Sequence, residues 1–443
     1  MSTSRSIVVV GGGFAGTALA CALDGRLPQG YELVVVSEES HMTFNPMLAE
    51  AVGASVFPEQ IVAPIRQMLK HGRFIMGRVS AVDTVRKRFI ADTLAGELTL
   101  PFEHLVLAFG NRARLDLIPG LAEHGLPLKT VGDAMHIRNI VLRRIARIEL
   151  EDDPAIRRRL GHFVVIGGGF SGVETAGELV DCLAGVRRYY PRVRADELKV
   201  TLLQDQPRLL LELSETLARA AHRSLAARGV DVRIGARATC VSDRAVALAS
   251  GEIMAAGTVI CTIGTRPNAL VERLPVTVER GRIVVEADLS VRDAPGLWAV
   301  GDCALARNAR DGQFAPPTAQ FAVREARCAA ANIVASIARQ PTRAFDYASR
   351  GSMAAIGRHN GVADVLGIPL RGLAAWLLWR AYYLSQMPTL GRKARIFVEW
   401  TWGMFFPTDI THLRFTRSGE LDDAPRADAA QNTPALSGVA GTT

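Results

Sequence analysis

Residues 7–16 read IVVVGGGFAG, and the rest of the chain is organised around this stretch. Ile7–Val10 is an unbroken apolar run of β-branched side chains, which predicts a strand buried on both faces. Gly11, Gly13 and Gly16 follow in G-x-G-x-x-G spacing. In a Rossmann turn Gly11 makes the sharp bend out of the strand. Gly13 lets backbone approach a pyrophosphate, and Gly16 lets the helix pack on the strand. The apolar run Ala18–Leu23 continues as helix. Its N-terminus would hold phosphates through free N–H groups and the helix dipole.

The pattern occurs a second time. Residues 163–172 read FVVIGGGFSG, with Gly167, Gly169 and Gly172 in the same spacing. Two nucleotide folds in one chain, the first at the N-terminus, imply a flavoprotein. One fold would hold FAD and the other a nicotinamide nucleotide.

The 443 residues suffice for two or three domains with proper cores. The formal net charge of +8 favours an anionic membrane surface or anionic substrates. No aromatic-interleaved basic stripe points to nucleic acid. The six cysteines, Cys21, Cys182, Cys240, Cys261, Cys303 and Cys328, form no C-x-x-C or close pair. They read as small buried residues in a reducing compartment, and no metal site is expected. The leader MSTSRS is polar and short and predicts no secretory signal. No apolar run reaches the roughly 18 residues a spanning helix needs.

After the first helix comes the strand Glu32–Val36, which ends at Ser37 and Glu38. A dinucleotide fold wants an acid about 20 residues past its glycines to grip a ribose. Glu38 is the candidate, one place late, or Ser37 substitutes with a weaker hydrogen bond. Phe44-Asn45-Pro46 could line the flavin or pack in the core. His104–Gly110, HLVLAFG, returns the chain to the cofactor. Asp133 is expected to cap a helix running to about Leu150. The charged stretch Glu151–Arg159 marks entry into the second domain. There the strand Leu198–Leu203 leads to Gln204, where a ribose-binding acid would normally stand. An amide does not repel a 2′-phosphate, so NADPH use is expected beside NADH. Thr258–Gly264 mirrors His104–Gly110. Trp298–Cys303, WAVGDC, ends a strand at Gly301-Asp302, where an acid could accept hydrogen bonds from ribityl hydroxyls. Ala319–Ile337 reads as a long helix.

Four of the five tryptophans, Trp376, Trp379, Trp400 and Trp402, fall in the last folded unit. Aromatics beside Arg371, Arg380, Arg392, Lys393 and Arg395 suit an interfacial helix. Leu373, Trp376, Leu377, Trp379, Tyr383, Trp400 and Trp402 are expected to enter the membrane interface. The alternative is a helix pair that caps a domain or forms a homodimer.

Taken together, the chain resembles the type II NADH dehydrogenases, the single-subunit, non-proton-pumping NADH:quinone oxidoreductases. The carriers are GGGFAG, FNPML at Phe44–Leu48, and GGGFSGVETAGEL at Gly167–Leu179. WAVGDCA at Trp298–Ala304, PPTAQFAVREAR at Pro316–Arg327 and the segment Ser352–Arg380 complete them. The resemblance implies an α/β fold of two Rossmann-like domains plus a C-terminal amphipathic membrane-associating segment. The boundaries expected are 1–150 and 286–345 for FAD, and 151–285 for NAD(P)H. Residues 346–417 form the membrane unit and 418–443 a disordered tail.

FAD would contact Gly11, Gly12, Gly13, Phe14, Ala15, Gly16, Ser37, Glu38, Ala108, Gly110, Gly301, Asp302 and Ala319. NADH or NADPH would contact Gly167, Gly169, Phe170, Ser171, Gly172, Gln204 and Gly264. Glu174 would lie near the nicotinamide. Gln320 and Arg324 would meet the quinone head group, with His359 a further contributor. Arg324 replaces a glutamine the family usually shows, which bears on the choice of acceptor. Location would be peripheral, on the cytoplasmic face of the cell inner membrane. The competing readings are a sulfide:quinone reductase, with Cys182 and Cys303 beside the flavin, and a soluble flavin-dependent reductase. A nucleotide-sensing interaction protein is the non-enzymatic alternative.

Overall fold

In the computed structural model, which describes residues 5–406 and 409–413, Ile7–Val10 lies at the centre of a sheet. It runs parallel to Tyr31–Ser37 on one side and to His104–Leu107 on the other. Burying each such valine or isoleucine is worth roughly 1.5–3 kcal/mol, so the central position follows from the run itself. Among the described residues this sheet has seven strands, and its edge nearer to Ile7–Val10 is Leu297–Ala299, supplied from the last third of the chain. The strand therefore delivers Gly301-Asp302 beside the first glycine turn. The helices Phe14–Leu23 and Ala319–Ile337 pack on each other over this core.

The second sheet has five parallel strands, ordered Gly125–Pro127, Thr258–Cys261, His162–Ile166, Lys199–Gln204 and Val230–Ile234. Its Phe170–Arg187 helix repeats the first unit's geometry. The helix expected from Asp133 starts earlier, at Val131. Thr130 is its N-cap, with Oγ1 accepting the Asp133 N–H at 3.1 Å. Asp133 closes the capping box by accepting the Thr130 N–H at 2.8 Å. The charged stretch at 151–159 is partly helical. Asp153 caps the helix Pro154–Leu160, and Arg157 is buried against Glu197 at 2.7 Å.

The C-terminal unit begins with a three-stranded antiparallel sheet, Gly351–Ala355, Gly361–Val365 and Ile368–Arg371. Two helices follow, Leu373–Gln386 and Leu390–Phe405. Here one expectation is corrected. Trp376, Trp379 and Trp400 are buried in the core, and only Trp402 of the four is exposed, at 59%. Arg380 is not free for lipid headgroups. Its guanidinium sits 3.7 Å from the Trp376 ring centroid and 4.7 Å from that of Trp400. Trp376, Trp379 and Trp400 join the core cluster that also holds Val173, Ala176 and Leu179 of the second glycine turn's helix. Of the expected set Leu373, Leu377 and Trp402 are exposed, and Phe397, Val398 and Phe405 are exposed beside them in the sequence. None of the described helices is long and apolar enough to cross a membrane. The expected tail at 418–443 lies outside the described residues.

Candidate functional site

The first glycine turn opens onto a cavity of about 1810 Å³. Gly11 has φ +115°, and a Cβ there would overlap the Ala108 backbone. A Cβ on Gly16 would overlap the Gly11 carbonyl, so both positions are glycine because the protein itself needs it. Gly13 differs: a Cβ there would meet no protein atom within 4 Å. Its open side faces the cavity, where a pyrophosphate would pass. Gly12, Phe14, Ala15, Ser37, Glu38, Ala108 and Gly110 share this wall. Gly16 packs behind it. Glu38 is held by Arg112 at 2.5 Å, with Arg78 at 3.9 Å.

Gly301, Asp302 and Ala319 line the same cavity beside this turn. Burial pushes the Asp302 carboxyl up, opposed by Lys129, Arg282 and a hydrogen bond from Asn111. Asn111 Nδ2 donates to Asp302 Oδ2 at 2.9 Å, while Asn111 Oδ1 is buried without a partner among the described residues. An orphaned buried acceptor beside a half-buried acid is what a polyhydroxyl chain would satisfy. The Gly301 N–H is fixed by Glu325 Oε2 at 2.6 Å. Burial pushes the Glu325 carboxyl up to about 7. An open Gly13, an orphaned Asn111 and an acid beside the turn fit a dinucleotide flavin.

Phe170, Ser171 and Glu174 enter the same cavity from the second domain. The other second-turn residues, Gly167, Gly169, Gly172, Gln204 and Gly264, do not line it. Gly167 repeats Gly11 with φ +114°, and Gly169 repeats the open side of Gly13. Gln204 is buried and both ends of its amide are engaged. Its Oε1 accepts the Gly168 N–H at 3.0 Å, and its Nε2 donates to the Arg208 carbonyl at 3.1 Å. Gly264, at φ +73°, packs against Leu117.

Glu174 is buried and accepts the Ala355 N–H at 3.1 Å. Burial holds its carboxyl well above the usual range, and Glu50 and Glu178 push the same way. Gln320 and Arg324 lie on one face of their helix and both line the cavity. The Gln320 amide is held by the Gly351 carbonyl at 3.3 Å and the Ser349 hydroxyl at 3.1 Å. Arg324 lies 5.3 Å from the Tyr347 ring centroid. Tyr382 and Tyr383 complete this end, with Phe44, Asn45 and Pro46. His359 stays outside, edge-on to Trp376. Cys182 and Cys303 do not line the cavity either, and burial pushes both thiols up to about 12. No His, Cys, Asp or Glu cluster among the described residues could hold a metal ion.

Sequence reasoning missed Asn111, Lys129, Glu325 and Glu50. Their roles depend on partners far along the chain, such as Asn111 on Asp302, which no local pattern announces.

Residues 5–326 match the model for pyridine nucleotide-disulphide oxidoreductases, and residues 349–409 that for the NDH2 C-terminal domain. The demethylphylloquinone reductase NdbB of Synechocystis is 29% identical over 404 residues, covering 89% of this chain and 95% of that protein. The type II NADH:quinone oxidoreductase Ndh of Mycobacterium tuberculosis is 26% identical, covering 94% of this chain and 89% of that protein. The solved structure of NDH2 from Plasmodium falciparum in complex with NADH superposes with a TM-score of 0.86 at 17% identity, covering 92% of this chain and all of that one. The chain therefore belongs to the pyridine nucleotide-disulphide oxidoreductases, and the NDH2 C-terminal domain that it carries is the one expected from its likeness to the type II NADH dehydrogenases.

Proposed function

We propose that the chain is an FAD-dependent NAD(P)H:quinone oxidoreductase that works without proton pumping. One observation carries this reading. A single cavity joins the first glycine turn and Asp302 to Phe170, Ser171 and Glu174 of the second domain, and to Gln320 and Arg324 beside the C-terminal tyrosines. FAD bound there would accept a hydride from the nicotinamide and pass two electrons to a quinone. The protein's part is position and electrostatics. The first glycine turn and Asp302 hold the flavin. Gly167, Gly169 and Gly172 hold the nicotinamide nucleotide and present it across Phe170. Gln320, pinned by Gly351 and Ser349, and the cationic Arg324 orient the quinone head group. The relatives' printed names, which pair NADH with a quinone, support the assignment.

The test is a spectrum followed by turnover. Protein supplied with FAD should bind it, bleach with NADH and recolour with a quinone but not with a disulfide. A chain that binds no flavin overturns the reading. Bleaching reversed by a disulfide and not by quinone moves it to another reductase. A sulfide:quinone reductase would need a reactive thiol pair at the flavin, and the burial of Cys182 and Cys303 away from the cavity argues against it.

We infer peripheral membrane attachment, on the cytoplasmic face, through the exposed Leu373, Leu377, Phe397, Val398, Trp402 and Phe405. Truncation before Leu370 is a poor test, because it removes three buried tryptophans. Phe397→Glu with Trp402→Glu changes only exposed side chains. The pair should lose co-sedimentation with anionic liposomes and turnover of long-tailed quinones, while a water-soluble quinone is still reduced. Unchanged co-sedimentation would place the contact elsewhere.

A further inference from the structure

The acceptor end of the cavity carries more positive charge than a neutral quinone can use. Gln320, Arg324 and Arg327 stand at i, i+4 and i+7 on the Ala319–Ile337 helix. Residues so spaced share one helix face, with neighbouring Cβ atoms about 5–6 Å apart. All three line the cavity. Arg350 lines it too, and it stands between Ser349 and Gly351, the two residues that hold the Gln320 amide. Arg324 is half-buried, while Arg327 and Arg350 are exposed.

These side chains differ in what they have left to give. The Gln320 amide has spent a donor on the Gly351 carbonyl and an acceptor on the Ser349 hydroxyl. None of the three guanidiniums makes a side-chain hydrogen bond or an ion pair among the described residues. Five acids share the cavity wall, Glu38, Glu39, Glu174, Glu212 and Asp302, and none of them pairs with these arginines. Glu38 is taken by Arg112, and Asp302 by the Asn111 amide. Burial holds the Glu174 carboxyl well above the usual range, which favours its neutral form.

Of the three, Arg324 is the one backed by a fixed ring. Its guanidinium lies 5.3 Å from the Tyr347 ring centroid, within cation–π range. Tyr347 is itself pinned at its main chain by the buried Asn308. Its N–H donates to Asn308 Oδ1 at 2.9 Å, and its carbonyl accepts from Asn308 Nδ2 at 2.8 Å. A guanidinium is a rigid fork of N–H donors that matches two oxygens at once. A quinone carbonyl offers that fork one neutral oxygen. A quinone with an acidic hydroxyl or carboxyl beside its carbonyl offers, once ionised, two oxygens that share a negative charge. Hydrogen bonds to such an anion are roughly twice as strong as neutral ones. Arg327 and Arg350, at the exposed rim, would raise the anion's local concentration.

We propose that the acceptor end takes anionic quinones, those with an ionised hydroxyl or carboxyl beside a ring carbonyl, and that Arg324 is the residue that selects them. This rests on the quinone reductase reading above. The redox step is unchanged. The acceptor gains two electrons and, at its carbonyl oxygens, two protons. One proton is the equivalent that arrives with the hydride of NADH, and the other comes from water. NADH leaves as NAD+, FAD ends the cycle as it began, and the acidic substituent keeps its charge throughout.

Two measurements on the flavin-loaded enzyme test the assignment, with flavin content and Tm as folding controls. The first needs no turnover. Naphthoate and its neutral counterpart naphthamide cannot be reduced, and their binding is read from the shift in the flavin spectrum. Naphthoate should bind the wild type tighter than naphthamide by about tenfold or more, and Arg324→Gln should erase the difference. Arg324→Lys, which keeps the charge but not the fork, should fall between them. Equal binding of the two probes by the wild type overturns the proposal. The second compares kcat/KM for lawsone, a hydroxynaphthoquinone ionised at neutral pH, with that for the neutral menadione. Taking the ratio in each variant cancels the difference in reactivity between the two acceptors. Arg324→Gln should slow both and lower the lawsone-to-menadione ratio by about tenfold or more. Arg327→Gln and Arg350→Gln should each lower it by about threefold. In the wild type the ratio should fall as salt rises from about 0.01 M to about 1 M. A ratio that no variant changes overturns the proposal, as does a wild type that reduces menadione and not lawsone. Loss of co-sedimentation with anionic liposomes at an unchanged ratio would assign these arginines to lipid headgroups and overturn it too. A wild-type protein that reduces neither quinone would instead overturn the functional reading on which the selection depends.

Discussion

The two glycine turns share a backbone but spend their side chains differently. In both, the first glycine has a φ near +115° and the third could carry no Cβ without overlapping the first one's carbonyl. In both, the middle glycine is open. They part at the end of the second strand. In the first unit Ser37 is small and packs against Gly12, and the charge sits one residue on, in Glu38, which Arg112 holds at the cavity rim. In the second unit the longer Gln204 turns back and closes on its own loop through Gly168 and Arg208. The backbone frame of a nucleotide fold is thus set by glycine sterics. Our reading is that what the fold prefers to bind is set by a residue that can serve either the ligand or the loop, and the variants below test it.

The largest effect should come from breaking the frame. Gly11→Ala forces an alanine to φ +115° and into the Ala108 backbone. Strain and overlap together should cost about 3 kcal/mol or more and abolish flavin retention. Gly13→Ala meets no protein atom. Its apo-protein stability should hold within about 0.5 kcal/mol of wild type, with Tm nearly unchanged, while flavin content falls. Gly169→Ala should keep the flavin and raise KM for NADH. Thermal melts, flavin content and steady-state kinetics on the three variants separate the cases. A Gly13→Ala protein that keeps all its flavin would mean the open side is not the pyrophosphate path.

This contrast also explains what could be read in advance. The turns were legible because a steric demand on backbone maps onto one residue type at fixed spacing. The sheets followed from β-branched runs for the same reason. Glu50 and Glu178 were not legible as neighbours, because Glu178 meets Ser55 across 123 residues and Glu50 meets Trp400 across 350. The tryptophans misled for a physical reason. Aromatics alternating with arginines suit a membrane surface, and they equally suit a buried helix whose arginine stacks between rings, as Arg380 does. Periodicity does not say what covers the face.

The two units should also answer pH in opposite senses. Glu197, in the second, is held down at about 2 chiefly by the hydrogen bond from Arg157. A depressed carboxyl stabilises the fold above its unfolded value near 4.5, and that stability is lost as pH falls toward 2. Glu325, beside the first turn, is raised to about 7 by burial. Its neutral form suits the fold, so stability is full below about 4.5 and falls as pH rises through 7. Each limb is worth roughly 3 kcal/mol at its full extent. Melts from about pH 3 to about pH 8 should show Glu197→Gln flattening the acid limb and Glu325→Gln flattening the alkaline one. In Glu325→Gln the amide oxygen can still accept the Gly301 N–H, so flavin content should become insensitive to pH across neutrality. Parallel shifts in both variants would break the contrast.

The smallest expected effect probes where the units part. In Gln204→Glu the carboxylate can still accept the Gly168 N–H, and more strongly than an amide does. It has no proton to give the Arg208 carbonyl, and two acceptors then face each other. The loop should lose about 1–2 kcal/mol of stability, read as a lower Tm. A charge at the strand end also repels a 2′-phosphate but not a hydroxyl. kcat/KM should therefore fall for both nucleotides through the loop, and for NADPH by a further factor of about ten. Gln204→Met separates the two causes, since it breaks the loop bonds without adding charge. It should lower Tm and leave the NADPH-to-NADH ratio where it was. If Gln204→Glu lowers Tm and changes both nucleotides equally, Gln204 serves its loop alone. Nucleotide choice then lies with a residue the glycine pattern does not point to.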